Sequence, residues 1–198
     1  MDCPCGLKMN LININKNKYF YCNNCGYLKK EVVLSSEKQK ERYDYHVCDD
    51  KYLAYLNDVF NQIKEFIIGN KVLDFGCGKI HALSDIMNNN GFDSYFYDLF
   101  YYPSFPSDLY DSIVMIEVFE HLDNPLDELL KLKCFLAKGG RFIIQTKMYP
   151  KKLDNWWYLR DTTHVSFVNE VTIDEWAKKL NMKLISLNGD IFVLERID

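Results

Sequence analysis

Val72-Leu73-Asp74-Phe75-Gly76-Cys77-Gly78 is the stretch on which the fold of this 198-residue chain turns. Val72 to Phe75 is a short apolar run suited to a buried strand, and the glycines at 76 and 78 let the backbone turn sharply and approach a ligand closely. Asp74 stands at the strand tip, where a carboxylate can accept from an amine or a hydroxyl. A second run, Ser94 to Tyr97, ends at Asp98, 20 residues after Gly78, the distance at which an acidic residue reaches ribose hydroxyls. A dinucleotide or another adenosine cofactor satisfies this pattern.

Outward from that stretch, strands and helices alternate. Upstream, Ser36 followed by Gln39 starts a polar helix running to Arg42, and Tyr52, Leu53, Leu56, Val59, Phe60, Ile63, Phe66 and Ile67 recur at helical spacing from about Asp50 to Ile68. Downstream, Ala82 to Met87 continues as a helix, Ser112 to Ile116 as a strand, and Pro125 to Leu136 as a helix with proline in its first turn. Arg141 to Thr146 forms a strand after Gly139-Gly140, and Thr172 caps a helix through Leu180. Lys183 to Leu187 and Ile191 to Leu194 flank Asn188-Gly189, a strong hairpin signal. The pattern predicts an α/β, Rossmann-like doubly wound fold: a mostly parallel sheet with an antiparallel C-terminal hairpin strand and a ligand site at the carboxyl ends of the strands.

Composition fits one globular domain with a small appendage. The chain is 48% hydrophobic with a net charge of -4, and no apolar run approaches the roughly 20 residues of a membrane span. No basic stretch followed by an apolar one opens the chain, so a reducing cytoplasm is the expected compartment. In that setting Cys3, Cys5, Cys22 and Cys25, bracketing an apolar hairpin with an Asn-Lys-Asn middle, point to metal rather than disulfides. Two thiolate pairs on a short ribbon supply the four tetrahedral ligands of a structural zinc, although Cys3-Pro4-Cys5 has one intervening residue where a standard knuckle has two or more. Cys48, Cys77 and Cys134 are expected as buried small residues. Residues 1–42 carry eight basic and four acidic side chains, leaving 16 against 24 for the rest.

With these motifs in place, residues 50–198 resemble the class I S-adenosylmethionine-dependent methyltransferases. Leu73-Asp74-Phe75-Gly76-Cys77-Gly78 looks like their first motif and Tyr97-Asp98 like the acidic tip of their second strand. Tyr110-Asp111-Ser112-Ile113-Val114 resembles their fourth strand, Leu136-Ala137-Lys138-Gly139-Gly140-Arg141-Phe142 their fifth, and Glu117-Val118-Phe119-Glu120-His121-Leu122 with Asn124-Pro125 a segment common among them. The resemblance implies that Asp74, Phe75, Gly76, Cys77 and Gly78 face the methionine part of the cofactor, that Asp98 and Leu99 lie at its ribose, and that Val118 sits beside it. It divides the chain into a zinc-ribbon-like segment (1–34), a helical lead-in (35–69) and a cofactor-binding domain (70–198).

Two departures from the family pattern stand out. Ile80 replaces the usual third glycine. Only 12 residues separate Asp98 from Asp111, too few for the usual helix and third strand, so Phe100 to Pro106 is expected in their place, covering either the adenine or the sheet edge.

At the reacting end, Glu117, Glu120 and His121 can share a face, and Asn155 to Phe167 carries the densest cluster of aromatic and ionisable groups. In one reading His164, oriented by Asp161, is a general base on a hydroxyl or amine. In another, Glu117, Glu120, His121 and His164 hold a divalent ion, a pattern similar to metal-dependent methyltransferases of RNA ribose 2'-hydroxyls. In a third, His121 caps its loop, Glu120 pairs locally, and His164 bonds backbone to fix Asn155 to Phe167, the segment where the resemblance places a substrate lid. The acidity of the catalytic part favours a small-molecule or protein acceptor over RNA, despite Lys8, Lys16, Lys18, Lys29 and Lys30 in front. A silent cofactor-binding module that docks a partner is the competing class.

Overall fold

The computed structural model describes residues 1–45, 47–105 and 107–198. β1 (Asn10–Ile14) and β2 (Asn17–Tyr21) form a hairpin whose turn is Asn15-Lys16, with Asn15 held at φ 54°. β3 (Leu28–Lys30) follows, then α1 (Ser36–Asp44) and α2 (Asp50–Ile63). The larger unit continues as β4 (Lys71–Phe75), α3 (Ala82–Asn89), β5 (Asp93–Tyr97), β6 (Tyr110–Ile116), α4 (Pro125–Lys133) and β7 (Leu136–Gln145). It closes with β8 (Ser166–Phe167), α5 (Glu170–Lys179), β9 (Met182–Asn188) and β10 (Ile191–Arg196).

The main sheet has the order β5-β4-β6-β7-β10-β9, its first four strands parallel and β10 antiparallel to both its neighbours. Side-chain alternation buries both faces. Val72, Val114, Ile143 and Val193 meet Leu56, Val59, Phe60 and Ile63 of α2 with Leu83 and Met87 of α3, while Leu73, Ile113, Phe142 and Phe192 meet Leu126 and Leu129 of α4 and Trp176 of α5. β5 is the edge strand. Among the described residues the usual third strand is absent, as the short Asp98–Asp111 spacing predicts, and Phe105 closes the end of the sheet against Tyr97 (5.1 Å) and Phe135 (4.7 Å). Pro106 lies outside the described residues.

Several boundaries differ from expectation for local reasons. α2 stops at Ile63, because Phe66 N–H reaches back only to Ile63 O, so Phe66 and Ile67 join the same apolar cluster from a turn. The helix from Pro125 ends at Lys133, and Leu136 opens β7, which runs through Gly139-Gly140. A Cβ on Gly140 would lie 2.7 Å from the Ala137 carbonyl oxygen, so this close strand passage requires glycine. The C-terminal hairpin turns on Gly189-Asp190, one residue later than expected, with Asn188 paired to Ile191. Asn169, not Thr172, caps α5, while Thr172 completes a capping box and donates to the Cys25 carbonyl at 2.8 Å. Cys134 is exposed, contrary to expectation, because it follows α4 on the solvent side.

The N-terminal strands do not close their own sheet. β3 pairs with β2 on one side and with β8 on the other, Leu28 opposite Phe167 and Lys29 opposite Ser166. Ile14, Tyr19 and Leu28 share a core with Tyr158, Leu159 and Phe167. Tyr27 packs on Trp176 at 4.9 Å and pairs its hydroxyl with Ser166 Oγ at 2.8 Å. Lys29, counted above among the basic residues in front, is 6% exposed and held by Asp123 at 2.7 Å, so it is not available to a phosphate.

Candidate active site and thiol cluster

The glycine turn is locked to the tip of β5. Gly76 and Cys77 N–H groups both donate to the Tyr97 carbonyl (2.8 and 3.1 Å), and Gly78 N–H donates to Asp98 Oδ2 at 3.1 Å. Asp98 Oδ1 accepts from the Phe100 and Tyr101 N–H groups (2.8 and 3.2 Å), so three backbone donors fix this carboxylate. A carboxylate has about four lone-pair positions, which leaves room for a hydroxyl. Gly76 sits at φ 82° directly under Val118, whose methyl carbons would lie 2.4 and 2.7 Å from a Cβ there. Gly78, at φ 68°, faces open space.

Asp74 is buried, and its Oδ2 has no hydrogen-bond partner among the described residues. Desolvation, against one backbone hydrogen bond from Ser84, pushes its pKa up to about 7. A buried, half-satisfied carboxylate beside an open glycine turn fits a ligand that brings a cationic amine to it. The Phe75 side chain points into the core against Tyr97 at 5.2 Å, so only its backbone borders the turn. Leu99 is 64% exposed and turns outward, and the Cys77 thiol donates to the Gly78 carbonyl at 3.3 Å. Of the aromatics after Asp98, Tyr102 packs on Phe96 at 4.9 Å and donates to the Lys79 carbonyl, while Tyr101 donates to Asp44 at 2.8 Å.

A second group of residues lies beyond the end of β6. Glu117 follows the last residue of β6 at φ 54°, a strained conformation for a glutamate, and leads into a 3-10 turn, Phe119–His121. Glu120 is fully buried, taking hydrogen bonds from the Thr146 hydroxyl (2.8 Å) and the Tyr158 hydroxyl (2.5 Å). Tyr158 also reaches Glu117 at 3.4 Å. Burial first, then the Glu120 charge, pushes Glu117 up to about 7.

His121 Nδ1 lies 3.1 Å from the Thr163 carbonyl and His164 Nδ1 2.9 Å from the Tyr158 carbonyl. A carbonyl can only accept, so both protons sit on Nδ1 in the neutral rings, and the His164 Nε2 keeps its lone pair. Burial and the neighbouring His121 pull His164 below the ordinary histidine range. Glu120, His121 and His164 each offer a ligand atom within 4.8 Å of the other two.

Two expectations are corrected here. Asp161 does not orient His164: its carboxylate accepts from the Thr163 N–H and hydroxyl (2.9 and 2.6 Å) and from Arg42 (3.1 Å), and the Tyr158 carbonyl holds the ring instead. Glu117 is not in the compact cluster: its carboxylate meets the Tyr158 hydroxyl at 3.4 Å, and that hydroxyl in turn donates to Glu120. The lead-in helices also reach the site. Tyr43 packs edge-on to His121 at 5.3 Å, and Tyr55 donates to Gln145 at 3.3 Å. Tyr52 is close enough to Asp74 for that charge to help raise its pKa to about 12, after burial. In sequence, Tyr52 belonged to an apolar stripe, and Tyr43 lay just past the polar stretch ending at Arg42. The structure extends that helix to Asp44 and so brings Tyr43 to the site.

In the ribbon, Cys3, Cys5, Cys22 and Cys25 place their sulfurs within 4.8 Å of one another, with Cys3–Cys25 and Cys5–Cys22 each at 3.5 Å. A ZnS4 tetrahedron has edges of about 3.8 Å, so the cluster is compact enough for four thiolates to converge on one ion. Cys5 N–H points at the Cys3 sulfur (3.4 Å), and Gly6 and Gly26 close the knuckles by donating to the Cys3 and Cys22 carbonyls. The single residue between Cys3 and Cys5 thus does not prevent convergence.

A family model described as a methyltransferase domain matches residues 40–187. No curated protein matches the chain significantly. Among solved structures, magnesium protoporphyrin IX methyltransferase from Synechocystis PCC 6803, with S-adenosylhomocysteine bound, is 14% identical, with a TM-score of 0.57 over 82% of this chain and 95% of that one. The 1,6-didemethyltoxoflavin-N1-methyltransferase of Burkholderia thailandensis, with 1,6-didemethyltoxoflavin and S-adenosylhomocysteine bound, is 11% identical, with a TM-score of 0.58 over 96% of this chain and all of that one. At such identities the likeness carries the fold alone.

Proposed function

The chain belongs to the methyltransferase-domain family and has its class I S-adenosylmethionine-dependent fold, and from that premise we propose that it moves a methyl group from S-adenosylmethionine to a hydroxyl or amine of a small molecule or protein. The observation that carries this is the unpartnered Asp74 Oδ2 beside the open Gly78 turn. Asp74, Gly76 and Gly78 would hold the methionine end, with Asp98 at the ribose and Val118 alongside. The named activities of the two compared structures, both on small molecules, favour a small acceptor.

S-adenosylmethionine supplies an electrophilic methyl on a sulfonium, so the protein's part is alignment and removal of the acceptor's proton. His164 is suited to that removal. Its pKa is depressed by burial, its Nδ1 proton is committed to the Tyr158 carbonyl, and its Nε2 is left to accept. Glu120, Thr146 and Tyr158 form the wall that sets the position of the ring. Tyr43, Tyr52 and Tyr55 shield the site from the solvent side.

Calorimetry with S-adenosylmethionine tests the reading through pH. Asp74 in the free protein holds a proton up to about pH 7, whereas an ammonium placed against it favours the carboxylate. Binding should therefore release a proton near pH 6.5, and affinity should rise as pH goes from 6 to 8, by about tenfold. The stability sign is opposite. The folded pKa lies above the unfolded 3.8, so the contribution of the buried acid is full below that value and lost as pH rises towards 7. Asp74→Asn should thus raise the melting midpoint at pH 8 by about 5 °C while abolishing detectable cofactor binding. Wild-type protein that binds no S-adenosylmethionine at pH 8 would sink the enzyme reading. Binding with no methyl transfer to any extract would favour the silent module.

For the base, His164→Ala should keep cofactor affinity and lower kcat by about 100-fold or more. Wild-type kcat at saturating cofactor should stay level to below pH 6.5, in the direction of the His164 shift. Unchanged turnover in the variant would reduce His164 to a structural residue.

The convergence of Glu120, His121 and His164 favours one second reading. A divalent ion there would be held by those three groups and would supply Lewis acidity to an acceptor hydroxyl, as in ribose 2'-O methylation. Chelated, desalted enzyme that regains activity with Mn2+ or Mg2+, and a Glu120→Gln variant that does not, would select it over the metal-free route. For the thiol cluster, the ligand set and spacing support structural zinc.

A further inference from the structure

A cavity of about 560 Å3 opens where the ribbon meets the lid, and none of its lining residues belongs to the glycine turn or to the Glu120, His121 and His164 cluster. Its size is that of a small-molecule site. Lys16 from the β1–β2 turn, Lys30 from the end of β3 and Arg160 from the lid line it, with Asn17, Asn155 and Trp156 between them. No carboxylate lines it among the described residues. None of the three cations forms an ion pair among those residues, whereas Lys29, Arg42 and Lys71 each hold a carboxylate at 3.1 Å or less. This concentration runs against the rest of the chain, where acidic residues outnumber basic ones.

The cations stand on fixed supports. Asn15 and Asn155 hold the flanking turns in the left-handed region, and Lys30 N–H is bonded to the Val165 carbonyl at 2.8 Å. Arg160 closes a 3-10 turn, Trp157–Arg160, anchored by buried Tyr158 and Leu159. Lys30 is half-buried, and desolvation disfavours its charge, with the Asp161 carboxylate offsetting only part of that effect. Two ammonium groups and a planar guanidinium suit a ligand with several anionic oxygens better than a single carboxylate does.

We propose that this cavity binds the phosphate of a small phosphorylated molecule. Three cations around one open cavity match one phosphate or pyrophosphate group. A polynucleotide track would need further cations in line, and the acidic remainder of the surface opposes it.

The test is a calorimetric titration of the full chain with sodium pyrophosphate, and separately with inorganic phosphate, at low ionic strength and without S-adenosylmethionine. Its outcome is therefore independent of the methyl-transfer reading. We expect saturable pyrophosphate binding that weakens about tenfold or more in each of Lys30→Ala and Arg160→Ala, and is unchanged in Lys183→Ala, which alters an exposed lysine elsewhere. Arg160→Gln and Lys16→Ala, checked for an unaltered melting midpoint, give the same readout should either alanine variant fail to fold. Absence of pyrophosphate binding, or binding indifferent to these substitutions, would overturn the proposal. So would a short single-stranded RNA that binds more tightly than pyrophosphate with a salt dependence exceeding about three released ions.

Discussion

Cys22→Ser should strip the chain of zinc and of activity together, while leaving S-adenosylmethionine affinity within about threefold of wild type. The split follows from the route by which the ribbon reaches the catalytic residues. Cys22 and Cys25 hold Tyr27 and Leu28, β3 pairs with β8, and Val165, next to His164, is bonded at both ends: its N–H to the Glu120 carbonyl and its carbonyl to Lys30 N–H. The glycine turn is bonded to Tyr97 and Asp98 instead. A structural zinc site is worth on the order of 10 kcal/mol in isolated fingers. Even a third of that, in a chain of this size, lowers the melting midpoint by about 10 °C. Turnover should fall by about 100-fold once the lid strand loses its partner. Metal analysis of the wild type should give close to one equivalent of zinc. Far less than that, with Cys22→Ser as stable and active as wild type, would refute the site.

Gly76→Ala should have the opposite signature, losing the cofactor while keeping the metal. A left-handed alanine costs about 1–2 kcal/mol, and its Cβ would overlap both Val118 methyl groups, for a total of about 3 kcal/mol. The turn must shift, and cofactor affinity should fall by about 100-fold. Removing the overlapping methyl groups in Gly76→Ala/Val118→Ala should recover part of the stability, because the clash is relieved, but little of the affinity, because the φ strain stays. Wild-type affinity in the single variant would remove the turn from the cofactor site.

The residues legible in sequence were those whose chemistry is local. Gly76 and Gly78 announce a turn whatever surrounds them, and the 12-residue gap after Asp98 is too short for the usual helix and third strand together. Periodicity located the helices but not their ends, since it cannot tell the last helical turn of α2 from the turn carrying Phe66 and Ile67 into the same core. The partner of His164 was misassigned for a different reason. Asp161 is three residues away and chemically apt, yet Thr163 is closer and takes its carboxylate, leaving a main-chain carbonyl, invisible in sequence, to hold the ring. Tyr158 and Tyr43 meet their partners across distant segments, and only the folded chain brings those together.

The pairing of β3 with β8 also governs the order in which the protein can be completed during synthesis. Tyr27 and Ser166 are in contact although they lie 139 positions apart in the chain. The ribbon emerges from the ribosome first, yet its last strand is translated only after most of the main sheet, so the inner edge of β3 must wait unpaired. Metal captured early would hold the first three strands in register through that interval, and final docking of β8 would come late, as a step sensitive to zinc supply rather than to cofactor.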